Sequence, residues 1–330
     1  MKQFLQKKAK LVFLCMLVLL TCTACANPRG RDGKTLADQI IASEETTIDA
    51  SKINYKDISD KKLKKEIKKN IKDGQYTIQP TTFKNSMSKG WFEGLIVWPI
   101  AQIINLISSK TDAGVGIILT TLLIQMLVFV FTRKSQMSTQ RMQEIQPEIQ
   151  KIQNKYKDKT DERSKMQMAQ EMQNIYQKYD IHPFGSMLIT FIQLPIMMGM
   201  YYATMRSVSV VIGSFMGISL AGTPLDGFKA FDIAYISIYV LMVIFYIVSM
   251  KLPQWLKKWQ DKKDNVKVKK YAQEETNPMA NSMNMSMYFM TAMICIMYIS
   301  WPMAMSFYWL VSSVIRVCQS LILHKVMNKK

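Results

Sequence analysis

Polar side chains recur at helical spacing inside three strongly apolar stretches of this 330-residue chain. Within each set the members are three or four residues apart, which places them on one helix face. The sets are Thr121 and Gln125; Thr190 and Gln193; and Ser306, Trp309, Ser313 and Arg316. Amides, hydroxyls and a guanidinium can bond to one another, hold water or attract a carboxylate. These residue types therefore predict a polar groove between helices and not a nucleophile or a metal site.

Two interpretations of the stripes stay open. Ser, Thr and Gln also join neighbouring membrane helices, at about 0.6–2 kcal/mol for each hydrogen bond. An arginine inside a span costs about 2.5–3.5 kcal/mol on insertion scales, so Arg316 needs a wet cavity, a partner or a route to the head groups. The apolar part of each predicted span, such as 115–131 in the first, contains no Asp or Glu. Arg316 either carries the charge of a groove or snorkels towards the cytosolic face.

The composition favours a membrane protein. Apolar blocks of about 20 residues, enough to cross a bilayer as helices, alternate with lysine-rich segments, and the net charge is +19. Loops beside membrane spans collect Lys and Arg, which explains this charge without a nucleic-acid partner. The sequence has five cysteines and two histidines, and no HExxH, P-loop or GxSxG motif. We therefore expect neither an enzyme nor a cofactor.

The N-terminus resembles the leader of a bacterial lipoprotein. Residues 1–24 combine early lysines with a short apolar core, as in a signal peptide. Thr23 and Ala24 precede Cys25, whose thiol would carry diacylglycerol and palmitate after cleavage. Ordinary cleavage without lipidation is the alternative. Either outcome places the mature N-terminus outside the cell.

Two segments separate this leader from the first span. Residues 25–87 are polar and lysine-rich, and they predict a flexible external tether with one short surface helix. In that helix Leu63, Ile67 and Ile71 share a narrow stripe, and Gly74 is a plausible stop. Residues 88–110 contain Trp91, Trp98 and Pro99, which indicates an amphipathic helix lying in the membrane interface.

The remaining chain predicts an all-α integral membrane protein, a five-span helical bundle. The spans are 111–133, 183–206, 233–250, 283–300 and 301–323. Starting outside, five crossings leave a cytosolic C-terminus with a short basic tail, 324–330. The connection 207–232 is then external, and the basic loop 251–282 is cytosolic.

Residues 134–182, between the first two spans, predict an antiparallel helical hairpin in the cytosol. Met142, Ile145, Ile149, Ile152 and Tyr156 repeat at steps of three and four, and a second such run follows "KDKT". Two matched apolar seams joined by a turn favour a helix pair over a solvated spacer. Pro147 should kink its first arm or mark a helix start.

The order of these features resembles the YidC/Oxa/Alb insertase family. The residues that carry the resemblance are "WPIAQIINLI", "EIQPEIQKIQNKY", "HPFGSMLITFIQLPIMMGMYYA" and "WPMAMSFYWLVSS", within about residues 90–325. The lipoprotein-type leader and the lack of a large external β-domain are similar to Gram-positive, SpoIIIJ-like members in the plasma membrane. The family usually has an arginine in its first span, where this chain has Gln125, and its tail is often longer.

The resemblance implies a membrane protein insertase that works alone or beside the Sec channel, through a groove open to cytosol and lipid. Its partners would be nascent membrane proteins, membrane lipids, the Sec translocon and, weakly through the basic loop 251–270, the ribosome. The rival functions are a small-solute transporter and a membrane scaffold. A transporter predicts internal repeats and midplane ion sites, and a scaffold predicts no polar stripes.

Overall fold

The computed structural model describes residues 28–157, 159, 161–181, 185–263, 288–289 and 291–327. The predicted signal peptide and the predicted lipid attachment at Cys25 lie outside the described residues. The chain divides into two compact units. Among described residues, the first unit holds 28–120, 193–235 and 302–308, and the second unit holds the rest.

The first unit begins with a small folded region. Strands β1 (Thr46–Asp49) and β2 (Gln75–Ile78) pair antiparallel, with Thr46 opposite Ile78. Helix α1 (Lys61–Asn70) lies between them in sequence, and the carboxylate of Asp60 caps it by accepting from two backbone N–H groups of its first turn. The predicted surface helix is therefore present and ends at Asn70. Gly74, with φ +75°, forms the turn into β2 and not the helix stop.

Apolar residues scattered through this lysine-rich region converge on one core. Its buried members are Ala37, Ile40, Ala42, Ile48, Ile53, Ile58, Ile67, Ile78, Val208 and Val211. The prediction of a flexible tether over 25–87 is therefore wrong for the described residues. The spacing of these residues follows no single helix or strand period, so a reading of local periodicity misses the core that they form together.

The predicted interfacial segment 88–110 is helical but interrupted. Helix α2 (Phe83–Ser88) is followed by a π-helical turn (Glu93–Val97) and by α3 (Trp98–Ser108), which has Pro99 in its first turn. Trp98 Nε1 donates to the backbone carbonyl of Thr81 at 2.8 Å, so α3 is attached to the folded region before it. Its position in a membrane interface stays a prediction.

Helix α4 (Ala113–Glu144) covers residues 113–133 of the predicted first span and continues into the predicted hairpin. Helices α5 (Gln146–Lys155) and α6 (Glu162–Lys178) follow. The helical conformation is interrupted at Ile145, and Pro147 lies in the first turn of α5. This proline therefore marks a helix start.

Helices α5 and α6 lie side by side, joined by polar contacts at both ends. Tyr156 Oη donates to Glu171 Oε1 at 3.0 Å, and Lys155 forms an ion pair with the same carboxylate. At the other end Tyr179 Oη donates to Glu148 Oε1 at 2.5 Å. The apolar seam contains Met142, Ile145, Ile149, Met172, Ile175, Tyr176, Tyr179 and Ile181. The seams predicted from the sequence therefore meet, whereas the cytosolic location stays a prediction.

Helix α7 (Gly185–Arg206) coincides with the predicted second span. The following connection, predicted as an external loop at 207–232, is structured throughout. It contains α8 (Val208–Ile212), the β3 (Ser214–Phe215) and β4 (Ile218–Ser219) hairpin, and α9 (Pro224–Ala230) with a capping box at Thr223.

Helix α10 (Ile233–Lys263) contains the predicted third span and runs thirteen residues past its predicted end at 250. The prediction of a basic loop at 251–282 is therefore wrong for residues 251–263, which continue the helix. Lys, Gln, Leu and Trp are tolerated well in helices, so charge alone does not end one. Helix α11 (Met303–Met327) covers residues 303–323 of the predicted fifth span and extends into the predicted tail.

Three helices in the described part of the chain are long and apolar enough to cross a membrane. They are Ala113–Met142, Ile233–Gln260 and Met303–Val326. Helix α7 occupies the predicted second span. Of the predicted fourth span, residues 283–287 and 290 lie outside the described residues, and 291–298 is helical. The predicted class, an all-α membrane protein, agrees with this architecture, and the count of five spans stays a prediction.

Candidate functional site

Gln125 lies in the apolar part of α4 and is buried, with 5% of its surface exposed. Its Nε2 donates to Ser312 Oγ on α11 at 3.2 Å. Thr121, one turn earlier on the same face, is fully buried. On transfer scales, moving an amide from water into hydrocarbon without a hydrogen bond costs several kcal/mol. The bond to Ser312 removes part of this cost and joins two apolar helices.

Arg316 lies one turn beyond Ser312 on α11 and is partly buried. Its Nη2 donates to Ser313 Oγ at 3.0 Å. Its guanidinium carbon lies 5.8 Å from the ring centre of Trp309 and 5.9 Å from that of Tyr246 on α10. Both distances are within the range of cation–π attraction. These three contacts, a hydroxyl and two aromatic faces, attract a cation without carrying a charge.

The aromatic side of this site is itself packed. Trp309 stacks on Tyr298 with ring centres 4.9 Å apart and meets Tyr246 edge-on at 6.3 Å. Trp309 is buried, with 6% exposed. A guanidinium held between such rings keeps its charge. Its rotamer is already restricted by the rings, so little further freedom is lost when it binds a ligand.

Ser312 and Ser313 link the two predicted polar positions. Ser312 accepts from Gln125, and Ser313 accepts from Arg316. Successive residues of an α-helix point about 100° apart, because a turn takes 3.6 residues. Gln125 and Arg316 are thus near each other along α11 but contact different faces of it.

The first unit holds a separate polar pair. Gln193 Nε2 on α7 donates to Tyr308 Oη on α11 at 3.1 Å, and Tyr308 is fully buried. Ser306 is also buried, with 2% exposed. The side chain of Thr190 lies outside the described residues, as does Cys25.

The structure thus brings the predicted residues into two groups, and three of their contact partners were missed. Thr121, Gln125, Trp309, Ser313 and Arg316 lie in the second unit, and Gln193 and Ser306 in the first. The missed partners are Ser312, Tyr308 and Tyr246. Ser312 and Tyr308 lie beside predicted positions in "SFYWLVSS", but they fall off the single stripe that spacing selects.

A polar network in the first unit was also missed. Arg206, at the end of α7, is buried and forms an ion pair with Glu93. Its Nε also donates to the carbonyl of Gln39 at 2.7 Å. We call these three residues the Arg206 clamp. Arg206 lies at a predicted span end, where an arginine is ordinary, so the sequence gives no signal of this role.

Comparisons with known proteins agree with the resemblance in sequence. Residues 105–330 match the family model described as 60Kd inner membrane protein. Membrane protein insertase YidC 1 of Streptococcus pyogenes serotype M6 is 30% identical over 72% of this chain and 75% of its own length. MisCA, a membrane protein insertase of Bacillus subtilis, is 27% identical over 72% of this chain and 80% of its own.

A further relative, membrane protein insertase YidC of Oceanobacillus iheyensis, is 28% identical over 74% of this chain and 87% of its own length. These relatives are named as insertases and not as enzymes, which confirms the prediction that the chain is not an enzyme. The matched segment includes α4 to α11 and therefore all of the helices that carry the polar residues. The chain belongs to the YidC/Oxa/Alb family of bacterial membrane proteins.

Proposed function

We propose that this protein is a membrane protein insertase, which inserts small membrane proteins and helps them fold. Family membership and the names of its relatives support this role. The single observation that carries the mechanism is the polar site of the second unit, where Gln125 and Arg316 contact adjacent serines on one apolar helix. A buried amide, two serines and a cation favour hydration and attract a carboxylate.

In the proposed mechanism, the polar tail of a short client enters a hydrated groove from the cytosol. Arg316 attracts acidic groups of that tail, while the client's apolar segment passes into lipid beside α7 and α11. Burial of apolar surface releases about 25 cal/mol per Å² and supplies the drive without nucleotide hydrolysis. The rings of Trp309 and Tyr246 keep the guanidinium in place without neutralising it.

The topology proposed from the sequence completes this scheme. The N-terminus is external and lipid-anchored at Cys25, five spans cross the membrane, and the C-terminus is cytosolic. The α5–α6 pair then lies in the cytosol and delivers clients, and the basic residues from Lys251 onward attract the ribosome or anionic lipid. Cooperation with the Sec channel is part of the same proposal.

An insertion assay with Arg316 variants, at matched protein levels, tests this function. Arg316→Ala should reduce insertion of clients with acidic tails about tenfold or more, because it removes the attraction for a carboxylate. A tenfold change in rate corresponds to about 1.4 kcal/mol. Clients with neutral tails should lose less. Arg316→Lys should retain part of the activity because the charge remains while the planar fork is lost.

Arg133→Ala is the matched control, since Arg133 is exposed near the polar end of α4. A uniform loss for all clients would mean that Arg316 anchors α11 to head groups, and it would contradict the groove. Gln125→Arg combined with Arg316→Ala tests the geometry. Rescue requires that a guanidinium at 125, which starts beside Ser312, reaches the neighbouring face of α11.

Client contact is tested by photocrosslinking from Gln193 and from Trp309 to ribosome-bound nascent membrane proteins. Both positions should yield client adducts, whereas the same probe at exposed Lys84 in the first unit should not. Adducts from Lys84 alone would place the client path elsewhere.

A further inference from the structure

One face of α1 consists of lysines that the proposed function does not use. The helix carries six lysines and one glutamate in ten residues. Ile67 is buried in the core of the folded region, and Leu63 packs against that core. The exposed lysines are Lys61, Lys62, Lys65, Lys68 and Lys69. We call them the lysine face.

The described part of the chain does not neutralise this face. No ammonium group of the lysine face has an ion pair or hydrogen bond among the described residues. Several of these lysines are three or four residues apart, a spacing at which like charges repel and destabilise a helix. Lys61 and Lys62 also lie at the helix N-terminus, where the macrodipole disfavours cations. The isolated protein therefore carries an electrostatic cost that an anionic partner would relieve.

The exposed side of α1 also lacks apolar side chains. Its remaining exposed residues, Glu66 and Asn70, are polar, and both apolar side chains of the helix face the core. Such a surface cannot insert into hydrocarbon. It suits adsorption onto an extended surface of negative charge.

The position of α1 in the chain favours a membrane surface. The first unit also contains one end of each long apolar helix, namely residues 113–120, 193–206, 233–235 and 303–308. Ile78 of β2 belongs to the same core as Ile67, and three residues later the carbonyl of Thr81 accepts the hydrogen bond from Trp98. Helix α1 thus belongs to the same compact unit as these helix ends, so the lipid leaflet there is present at high effective concentration.

We propose that the lysine face of α1 binds the anionic phosphate head groups of the membrane leaflet at this end of the helices. Binding holds the folded N-terminal region down on the bilayer by charge alone. Because only the native helix presents the lysines together, head groups that bind it stabilise it against local unfolding.

Hydrogen exchange of the full chain in nanodiscs tests this proposal. With phosphatidylglycerol in place of phosphatidylcholine, amides of Lys61–Asn70 should exchange about tenfold more slowly, as expected when several lysines each gain an attraction near an anionic surface. The gain should vanish in about 1 M salt, where the Debye length falls to about 3 Å.

The test variant is Lys65→Gln/Lys68→Gln/Lys69→Gln, whose positions are exposed and outside the core. In phosphatidylcholine it should exchange at about the rate of the parent, because reduced like-charge repulsion offsets the loss of two cations in the last helical turn. In phosphatidylglycerol it should lose the lipid-dependent protection. The control Lys84→Gln/Lys110→Gln/Lys229→Gln removes the same number of charges from exposed positions elsewhere in the first unit. It should keep the lipid-dependent protection of α1.

Two further probes separate lipid from other polyanions. Soluble polyphosphate or an acidic peptide is added to phosphatidylcholine nanodiscs at the same phosphate or carboxylate concentration. If either protects α1 while phosphatidylglycerol does not, the lipid proposal is overturned in favour of a polymer or a protein tail. Equal loss of protection in the test and control variants would also overturn it, since the effect would then be one of net charge.

Discussion

Arg206 in the first unit and Arg316 in the second are two arginines at apolar helices, and their surroundings differ. Arg206 is paired with the carboxylate of Glu93 and bonded to the carbonyl of Gln39. The contacts of Arg316 include a serine hydroxyl and two aromatic rings. An ion pair with a buried guanidinium fixes structure, whereas hydroxyl and aromatic contacts hold a guanidinium without cancelling its charge. The same side chain thus suits a structural joint in one unit and a proposed client site in the other.

The hydrogen bonds around the Arg206 clamp strengthen this contrast. Asn105, on α3, is buried and donates from Nδ2 to the carbonyl of Ile41 at 2.8 Å. Its Oδ1 accepts from Ser207 Oγ at 2.6 Å. The N-terminal region, α3 and the end of α7 are therefore joined by buried polar contacts. In the second unit, the bond from Gln125 to Ser312 is longer, at 3.2 Å.

Breaking the clamp should have the largest effect on stability. Glu93→Gln leaves Arg206 buried without its counter-charge, which should cost about 3–5 kcal/mol. The thermal unfolding midpoint of the purified protein should fall, and protease cleavage within residues 28–90 should accelerate. Glu45→Gln, at an exposed position of the same region, is the control. An unchanged midpoint for Glu93→Gln would make the clamp energetically irrelevant.

A smaller effect is expected from the core of the folded N-terminal region. Ile67→Ala removes buried methyl groups and should cost about 2–3 kcal/mol, the low end of the range for such changes, because a small region relaxes. Limited proteolysis should then cut near α1 in the variant but not in the parent. Lys65→Ala, on the exposed side of the same helix, should leave the pattern unchanged. Equal cleavage of the parent and of Ile67→Ala would restore the tether interpretation.

Gln125→Leu should change stability less, by about 0.6–1.7 kcal/mol, the range measured for hydrogen bonds between membrane helices. A double-mutant cycle with Ser312→Ala should give a coupling energy of that size. Client insertion measured in parallel decides between the two open interpretations. A fall in insertion beyond the loss of folded protein favours the groove, and a purely proportional fall favours a helix–helix contact.

The smallest expected effect is a pH dependence of the α5–α6 pair. The hydrogen bond from Lys155 lowers the pKa of Glu171, with a further bond from Tyr156, and the same pair raises the pKa of Lys155. The contribution of Glu171 is present above its unfolded pKa of about 4.3 and is lost as pH falls through its lowered folded value. That of Lys155 is present below about 10.4 and is lost as pH rises through its raised folded value.

Amide protection factors of α5 and α6 should therefore stay level near neutral pH and fall slightly at both extremes. Both side chains are exposed to solvent, so the change should be small. Lys155→Gln should remove the fall at high pH and reduce the fall at low pH, where the hydrogen bond from Tyr156 to Glu171 remains. A fall at neutral pH, or an unchanged fall at high pH in this variant, would assign the effect to other groups.

Local pattern predicted most of the membrane part. Apolar runs located α4, α7, α10 and α11, and Pro147 located the start of α5. The ends of the long helices were less predictable, as at α10, because Lys and Trp continue a helix once it has begun. Family resemblance added the expectation of a groove, and the matched relatives confirm the family alone.

Periodicity on one helix could propose Gln125, Gln193 and Arg316, because a face is a local property. It could not propose Ser312, Tyr308 or Tyr246, since a partner is defined by a second helix. Periodicity also did not predict the isoleucine-rich core of residues 28–80, because its members are distant in sequence and share no period.

The sequence by itself therefore determined the helices, the apolar and polar faces and the family, since these depend on neighbouring residues and on their chemistry. Only the tertiary structure decided which charges are neutralised. It paired Arg206 with Glu93, 113 residues away, and it placed Arg316 against Tyr246 and Trp309. Electrostatic energy depends on distance in space, and that distance is set by how the helices and strands pack.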